Sequence, residues 1–305
     1  MVTAAIEPWF AGFQGQRFPV NGIRIFARVG GLENGPPLLL LHGFPQTHAM
    51  WHRVAQELAP HFRLVIPDLR GYGDSDKPAD LPRHVQQSKR SMAHDMADLM
   101  RLLGHRRFGV AGHDRGGRVA HRLALDHADR VSRLSVIDIA PTLDMYDATN
   151  MDFSRAYYHW FHLIQPAPLP ERMIGACASF YLHTKLGGWG GKGGLLHVED
   201  RALAEYERCF CHAAAIHSAC EDYRASADID LEHDRISREQ GQRITCDTLV
   251  IWAKDGVVNR LFDPLALWQA QCSAQVSGEA WQGGHFVPEE YPQRLASRFR
   301  EFFAE

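Results

Sequence analysis

"RFGVAGHDRGGRVAHRLALDH", residues 107 to 127, decides the fold of this chain. Its opening, 107 to 112, reads as a short buried strand, and 117 to 127 read as a helix. Between them stands Gly112-His113-Asp114-Arg115-Gly116. Glycines two places either side of one reactive residue mark a sharp strand-to-helix turn. In its G-x-S-x-G form this turn carries a nucleophilic serine at its tip. Here an aspartate holds that place. Aspartate is also a favoured helix N-cap, so its role depends on what else the chain brings to it.

Working outward, the same alternation continues on both sides. "GIRIFARV" (22 to 29), "PPLLLLHGFP" (36 to 45), "FRLVIPDLRGYGDSDKP" (62 to 78) and "LSVIDIAP" (134 to 141) each hold a strand. "SMAHDMADLMRLLG" (91 to 104) has helical spacing and a closing glycine. Strands alternating with helices predict an α/β fold with a mostly parallel sheet covered on both faces. The rhythm breaks over 142 to 244, which holds no clear buried strand and is rich in aromatics and histidine. It reads as an inserted helical cap. Within it, "LGGWGGKGGLLH" (186 to 197) carries six glycines around Trp189 and predicts a loosely packed, mobile loop. Alternation returns with "TLVIWA" (248 to 253), a helix over 264 to 271, a strand over 276 to 280 and a helix over 288 to 303. The expected layout is a core from 1–141 and 245–305, with a cap over 142–244.

Composition narrows the function classes. The chain has 305 residues, 45% hydrophobic and 23% charged, enough apolar content for a large core. A net charge of −3 argues against nucleic acid as partner. No apolar run is long enough for a membrane span. The opening "MVTAAIEPWFAGFQGQRF" shows no secretory pattern. Six cysteines are too few for a disulfide scaffold, and "CFCH" (209 to 212) lacks a second ligand pair, so no metal and a reducing cytoplasm are expected.

An open parallel sheet binds its ligand beyond the carboxyl ends of its strands. Asp114, His42 to Pro45, Asp138, Asp255 and His285 all follow strands, so one edge should gather them. A carboxylate nucleophile suits displacement at saturated carbon, forming an alkyl–enzyme ester that water then hydrolyses. His285, in "QGGHFVPEE", is the candidate base for that water. Asp138 and Asp255 compete to orient it, and spacing does not separate them. The backbone N–H of Phe44, with that of Arg115, would form an oxyanion hole. Arg118 lies one helical turn after Asp114. With Arg115 it could grip a carboxylate and set the reacting carbon in line.

These residues carry a family resemblance. Gly112-His113-Asp114-Arg115-Gly116-Gly117-Arg118 and "LLLLHGFPQTHAMWHRVA" (38 to 55), with "DLRGYGDSDKP", "VIDIAPT", "YHWFHLIQPAPLPE", "CEDYRA" and "GGHFVPEE", resemble the fluoroacetate/haloacetate dehalogenases of the α/β-hydrolase superfamily. The resemblance runs over nearly the whole chain and implies the α/β-hydrolase fold. It makes Asp114 nucleophile, His285 base and Asp138 the orienting acid, with Asp255 the alternative. It assigns Arg115 and Arg118 to the substrate carboxylate, and His159, Trp160 and Tyr223 to the departing halide. Trp189 falls near a tryptophan that lines the family's substrate tunnel, a gate position. No cofactor and a homodimer are implied. The expected partner is a small anionic halogenated substrate.

Two other readings compete. An epoxide hydrolase shares the Asp-His-Asp core and would use cap tyrosines, for which Tyr223, Tyr157 and Tyr158 are available. It would have no use for two arginines beside the nucleophile. A non-catalytic ligand-binding protein on the same fold is the third, and it need not retain Asp114, an acid and His285 together.

Overall fold

The computed structural model describes residues 8–191 and 193–304. Residues 1–7 of the opening stretch and Lys192 of the glycine-rich stretch lie outside the described residues. Eight strands form one sheet: β1 (Gln14–Val20), β2 (Ile23–Gly31), β3 (Pro37–Leu41), β4 (Arg63–Pro67), β5 (Phe108–His113), β6 (Val131–Ile137), β7 (Asp247–Ala253) and β8 (Val276–Trp281). Their order is β1-β2-β4-β3-β5-β6-β7-β8. The β1–β2 and β2–β4 pairs are antiparallel. Every other pair is parallel, from β4–β3 through β7–β8.

The central strands are buried on both faces. Leu38 to Leu41 of β3 and Leu64 to Ile66 of β4 are fully buried, which is why these strands read as unbroken apolar runs. Helices α1 (His52–Leu58), α2 (Lys89–Leu102) and α3 (Arg115–Asp126) connect the first strands. From β6 to β7 the named elements are all helices: α4 (Thr142–Asp147), α5 (Met151–Ala156), α6 (Tyr158–Leu163), α7 (Leu169–Gly175), α8 (Ala178–Trp189), α9 (Asp200–Phe210), α10 (Ala213–Ala227) and α11 (Ile229–Glu239). After β7 come α12 (Val257–Leu261) and α13 (Pro264–Gln271), and after β8 α14 (Val287–Glu290) and α15 (Pro292–Phe303).

Two expectations need correction. Strand β1 has no counterpart in the sequence reading. It is an edge strand whose residues are mostly exposed, and "QGQRFPV" offers little apolar alternation to detect. The glycine-rich stretch is not a loose loop at its start: α8 runs through Gly187 and Gly188 to Trp189. Nor does it stand off from the core. A Cβ on Gly191 would lie 2.5 Å from Glu290 Oε2 and 2.7 Å from Gly284 N. A Cβ on Gly284 would strike the backbone of Trp189, Gly190 and Gly191. At Gly191 and Gly284 the missing side chains permit close packing of two backbones. A Gly284→Ala variant should therefore lose about 1–3 kcal/mol of stability and several degrees of Tm, read by thermal unfolding.

No helix among the described residues is long and apolar enough to cross a membrane.

Candidate active site

The turn after β5 is built by close packing. A Cβ on Gly112 would strike Gly116, and a Cβ on Gly116 would strike His42 O. Only glycine lets α3 start this close to β3 and β5. Asp114 pays the conformational cost at the tip, with φ 47° and ψ −117°. A left-handed φ on a non-glycine residue stores about 1–3 kcal/mol and is kept where surrounding structure enforces it.

Asp114 is 5% exposed. Its Oδ1 accepts a hydrogen bond of 2.9 Å from Phe44 N–H, in the loop after β3. Its Oδ2 lies 4.0 Å from His285 Nε2. Burial pushes its carboxyl upward, but the neighbouring His285, His113, Arg115 and Arg118 outweigh burial and hold it below the ordinary value. Asp114 is therefore a carboxylate at neutral pH.

His285 follows β8. Its Nδ1 pairs with Asp138 Oδ2 at 2.6 Å. Asp138 follows β6 with φ 50°, and its other oxygen accepts the Ala253 N–H at 2.9 Å. Burial pulls the imidazole downward, yet the Asp138 hydrogen bond and charge, with Asp114, raise it above 6.5. Asp255 follows β7, but its Oδ2 accepts from Gln282 Nε2 at 2.5 Å and Gly283 N–H at 3.2 Å. It braces the loop before His285 while Asp138 meets the ring itself.

The His285 backbone is fixed on both sides. Its N–H donates to Trp189 O at 2.8 Å, and its carbonyl lies 2.8 Å from His113 Nε2. Burial drives His113 down to about 3, so it stays neutral and can donate.

Arg115 and Arg118 are both buried. Arg115 is clamped by Asp222 of α10, through Nε to Oδ2 at 2.9 Å and Nη2 to Oδ1 at 2.7 Å. Asp222 also accepts from Tyr72 OH at 2.6 Å and pairs with Lys89 Nζ. Arg118 donates to Thr142 Oγ1 at 2.9 Å and Ala140 O at 3.2 Å, with no carboxylate on it. Arg115 lies 4.2 Å from the Tyr223 ring centre, and Arg118 4.7 Å from that of Trp160. His159 and Tyr223 ring centres are 5.5 Å apart, and each contacts Phe44. The insertion thus brings His159, Trp160 and Tyr223 over the nucleophile turn.

Five polar atoms in this group are buried with no protein partner: Arg115 Nη1, Arg118 Nε, His159 Nδ1, Trp160 Nε1 and Tyr223 OH. Burial keeps His159 neutral and the Tyr223 phenol protonated. A cavity of about 140 Å³ reaches Asp114, Asp138, His285, Tyr157, His159 and Trp189. That is well below the few hundred Å³ of a pocket for a drug-sized ligand.

Two participants escape the sequence reading. Asp222 sits next to Tyr223 in "CEDYRA", but an acid on a helix gives no sign that it faces an arginine over 100 residues away. His113 lies inside the turn motif, where it reads only as a spacer. Of the two neighbouring tyrosines the sequence offered, Tyr157 is buried and lines the cavity, while Tyr158 is exposed.

The family model described as alpha/beta hydrolase fold matches residues 36–290. A fluoroacetate dehalogenase from Burkholderia sp is 43% identical over 97% of this chain and 95% of its own length. A soluble epoxide hydrolase from Corynebacterium sp. (strain C12) is 33% identical over 93% of this chain and 95% of its own. The crystal structure of ALR0039 from Nostoc sp PCC 7120 superposes with a TM-score of 0.92 at 49% identity, covering 96% of this chain and 98% of that one. With the sheet order, the nucleophile turn and these matches in agreement, the chain belongs to the α/β-hydrolase fold family, with full-length similarity to fluoroacetate dehalogenase.

Proposed function

We propose that this chain is a hydrolase of carbon–halide bonds that converts 2-haloacetates, fluoroacetate among them, to glycolate and halide. The observation that carries the reading is the set of five buried polar atoms without protein partners on residues at or packed over the Asp114 turn. Leaving one such group unpaired costs about 1–3 kcal/mol. Two belong to arginines and suit a carboxylate; the Trp160 N–H and Tyr223 O–H are uncharged donors that suit a halide developing charge, and His159 joins them as its Nδ1–H tautomer. The similarity to fluoroacetate dehalogenase points the same way.

In this reading Phe44 N–H holds Oδ1, so Oδ2 of Asp114 attacks the α-carbon. The C–O bond forms as the C–X bond breaks, and halide leaves toward His159, Trp160 and Tyr223. Arg115 and Arg118 hold the substrate carboxylate in line. His285, oriented by Asp138, then takes a proton from water. The hydroxide adds to Asp114 Cγ, with the N–H groups of Phe44 and Arg115 stabilising the oxyanion. As the tetrahedral adduct collapses, the departing alkoxide takes the proton from His285 to give glycolate, and the proton of the added hydroxyl passes from Asp114 to solvent, restoring both residues. Displacement inverts the α-carbon, so a chiral 2-halo acid gives the opposite hydroxy acid. Residues 142–244 act as a cap on the core, and Trp189 acts as its gate. The protein works without a cofactor, as a homodimer in the cytoplasm, a setting that suits its six free cysteines.

The epoxide hydrolase reading draws on the Corynebacterium relative and on Tyr157 at the cavity. One assay separates the two: incubation with fluoroacetate, chloroacetate and styrene oxide, followed by halide and diol. Halide from the acids is expected; diol without halide would overturn the dehalogenase. The acid is tested by two variants. Asp138→Asn should lower kcat about 10³-fold or more, while Asp255→Asn should cost less than about tenfold. Loss only in the Asp255 variant would reverse the assignment.

A further inference from the structure

Seven lysine or arginine side chains are buried among the described residues: Arg70, Lys89, Arg115, Arg118, Arg122, Lys185 and Arg224. Five have a carboxylate within 4.0 Å: Arg70, Lys89, Arg115, Arg122 and Arg224. Arg118 and Lys185 have none. Arg118 already has a place in the site. Lys185 has none, although it is only 3% exposed.

Its Nζ lies 3.6 Å from the ring centre of Tyr158, 4.8 Å from that of Trp189 and 5.5 Å from that of Tyr181. Aromatic faces attract a cation, but they do not cancel its charge. Lys185 stands one turn before Trp189 on α8, so it backs the indole from within the same helix. Trp189 also lines the cavity. Its ring centre is 4.5 Å from His159 and 5.7 Å from His285. The unneutralised charge therefore packs against a residue of the cavity wall.

We propose that Lys185 is a specificity residue for anionic substrates: its ammonium pins the Trp189 wall and gives the cavity a positive field that neutral substrates do not feel. This rests on the haloacetate reading for the identity of the anion. Burial also lowers the amine to about 7. The titratable groups facing it are Tyr158, His159 and His162 of α6 and Tyr181 of α8, none of them an anion at neutral pH. As pH rises past about 7 the ammonium is lost, and anion affinity should fall with it.

The test compares wild type, Lys185→Met and Lys185→Arg. With chloroacetate, Lys185→Met should raise KM about tenfold with little change in kcat, and Lys185→Arg should keep KM near wild type. With uncharged chloroacetamide, the three should have similar kcat/KM. The wild-type KM for chloroacetate should rise with pH through neutrality, and that rise should vanish in Lys185→Met. Equal KM values for chloroacetate in all three proteins would overturn the proposal, as would an equal loss on chloroacetamide. A second readout needs no turnover: quenching of tryptophan fluorescence by acetate, with Trp189→Phe as the blank. Weaker acetate binding in Lys185→Met supports the proposal even if no haloacetate is turned over; unchanged binding overturns it.

Discussion

Replacing Asp114 by asparagine is expected to lower kcat for chloroacetate by at least about 10⁴-fold. The amide keeps an oxygen for the Phe44 N–H, so the loop after β3 should stay in place. What is lost is the anionic Oδ2, which an amide cannot replace as a nucleophile. The native carboxyl lies below its ordinary value, with Arg115 and Arg118 cationic beside it throughout, so wild-type alkylation should be flat with pH across the neutral range. The check is halide release by both proteins, with circular dichroism and Tm to show that the variant is folded. Retention of more than a few per cent of wild-type halide release would remove Asp114 from its proposed role.

His285→Asn should fail later in the same cycle. Asp114 and the donors over it remain, so one halide per site should be released. The ester then lacks a base to activate water, and steady turnover should drop about 10³-fold. Mass spectrometry of the intact protein should show one carboxymethyl adduct, mapped by digestion to the Asp114 peptide. An unmodified variant that still binds substrate would argue against a covalent step.

The wild type should approach the same state at low pH. Burial works against the charged imidazole, but Asp138 and Asp114 more than offset it, so the folded value lies above 6.5. Below that value His285 is cationic and cannot take a proton. Ester hydrolysis should therefore slow as pH falls, while alkylation continues, and a burst of halide should appear in rapid-mixing experiments.

Much of this arrangement is legible from the sequence because the central sheet is parallel and doubly covered. Such strands appear as bare apolar runs, and the residues after them must share one edge. That logic brings Asp114, Asp138, Asp255 and His285 together without a structure. It could not choose between Asp138 and Asp255, since both follow strands next to each other. The difference is angular: one carboxylate points at the imidazole and the other at the backbone beneath it. The clamp on Arg115 was hidden for a different reason. Asp222, Tyr72 and Lys89 come from three distant segments, and nothing local in any of them signals the meeting. The glycine-rich stretch misled because composition reports freedom in the unfolded chain. Whether glycine yields slack or close contact depends on the surface it meets, here the Gly283–Gly284 backbone.

The hydrogen bond from His285 N–H to Trp189 O has a mechanical consequence. His285 and Trp189 of the cavity wall are fastened to each other by their main chains. Lifting that part of the insertion away would unlatch His285, the proposed base. Traffic through the cavity is therefore better served by swinging side chains than by raising the roof, and the same hydrogen bond that ties wall to loop holds His285 beside Asp138.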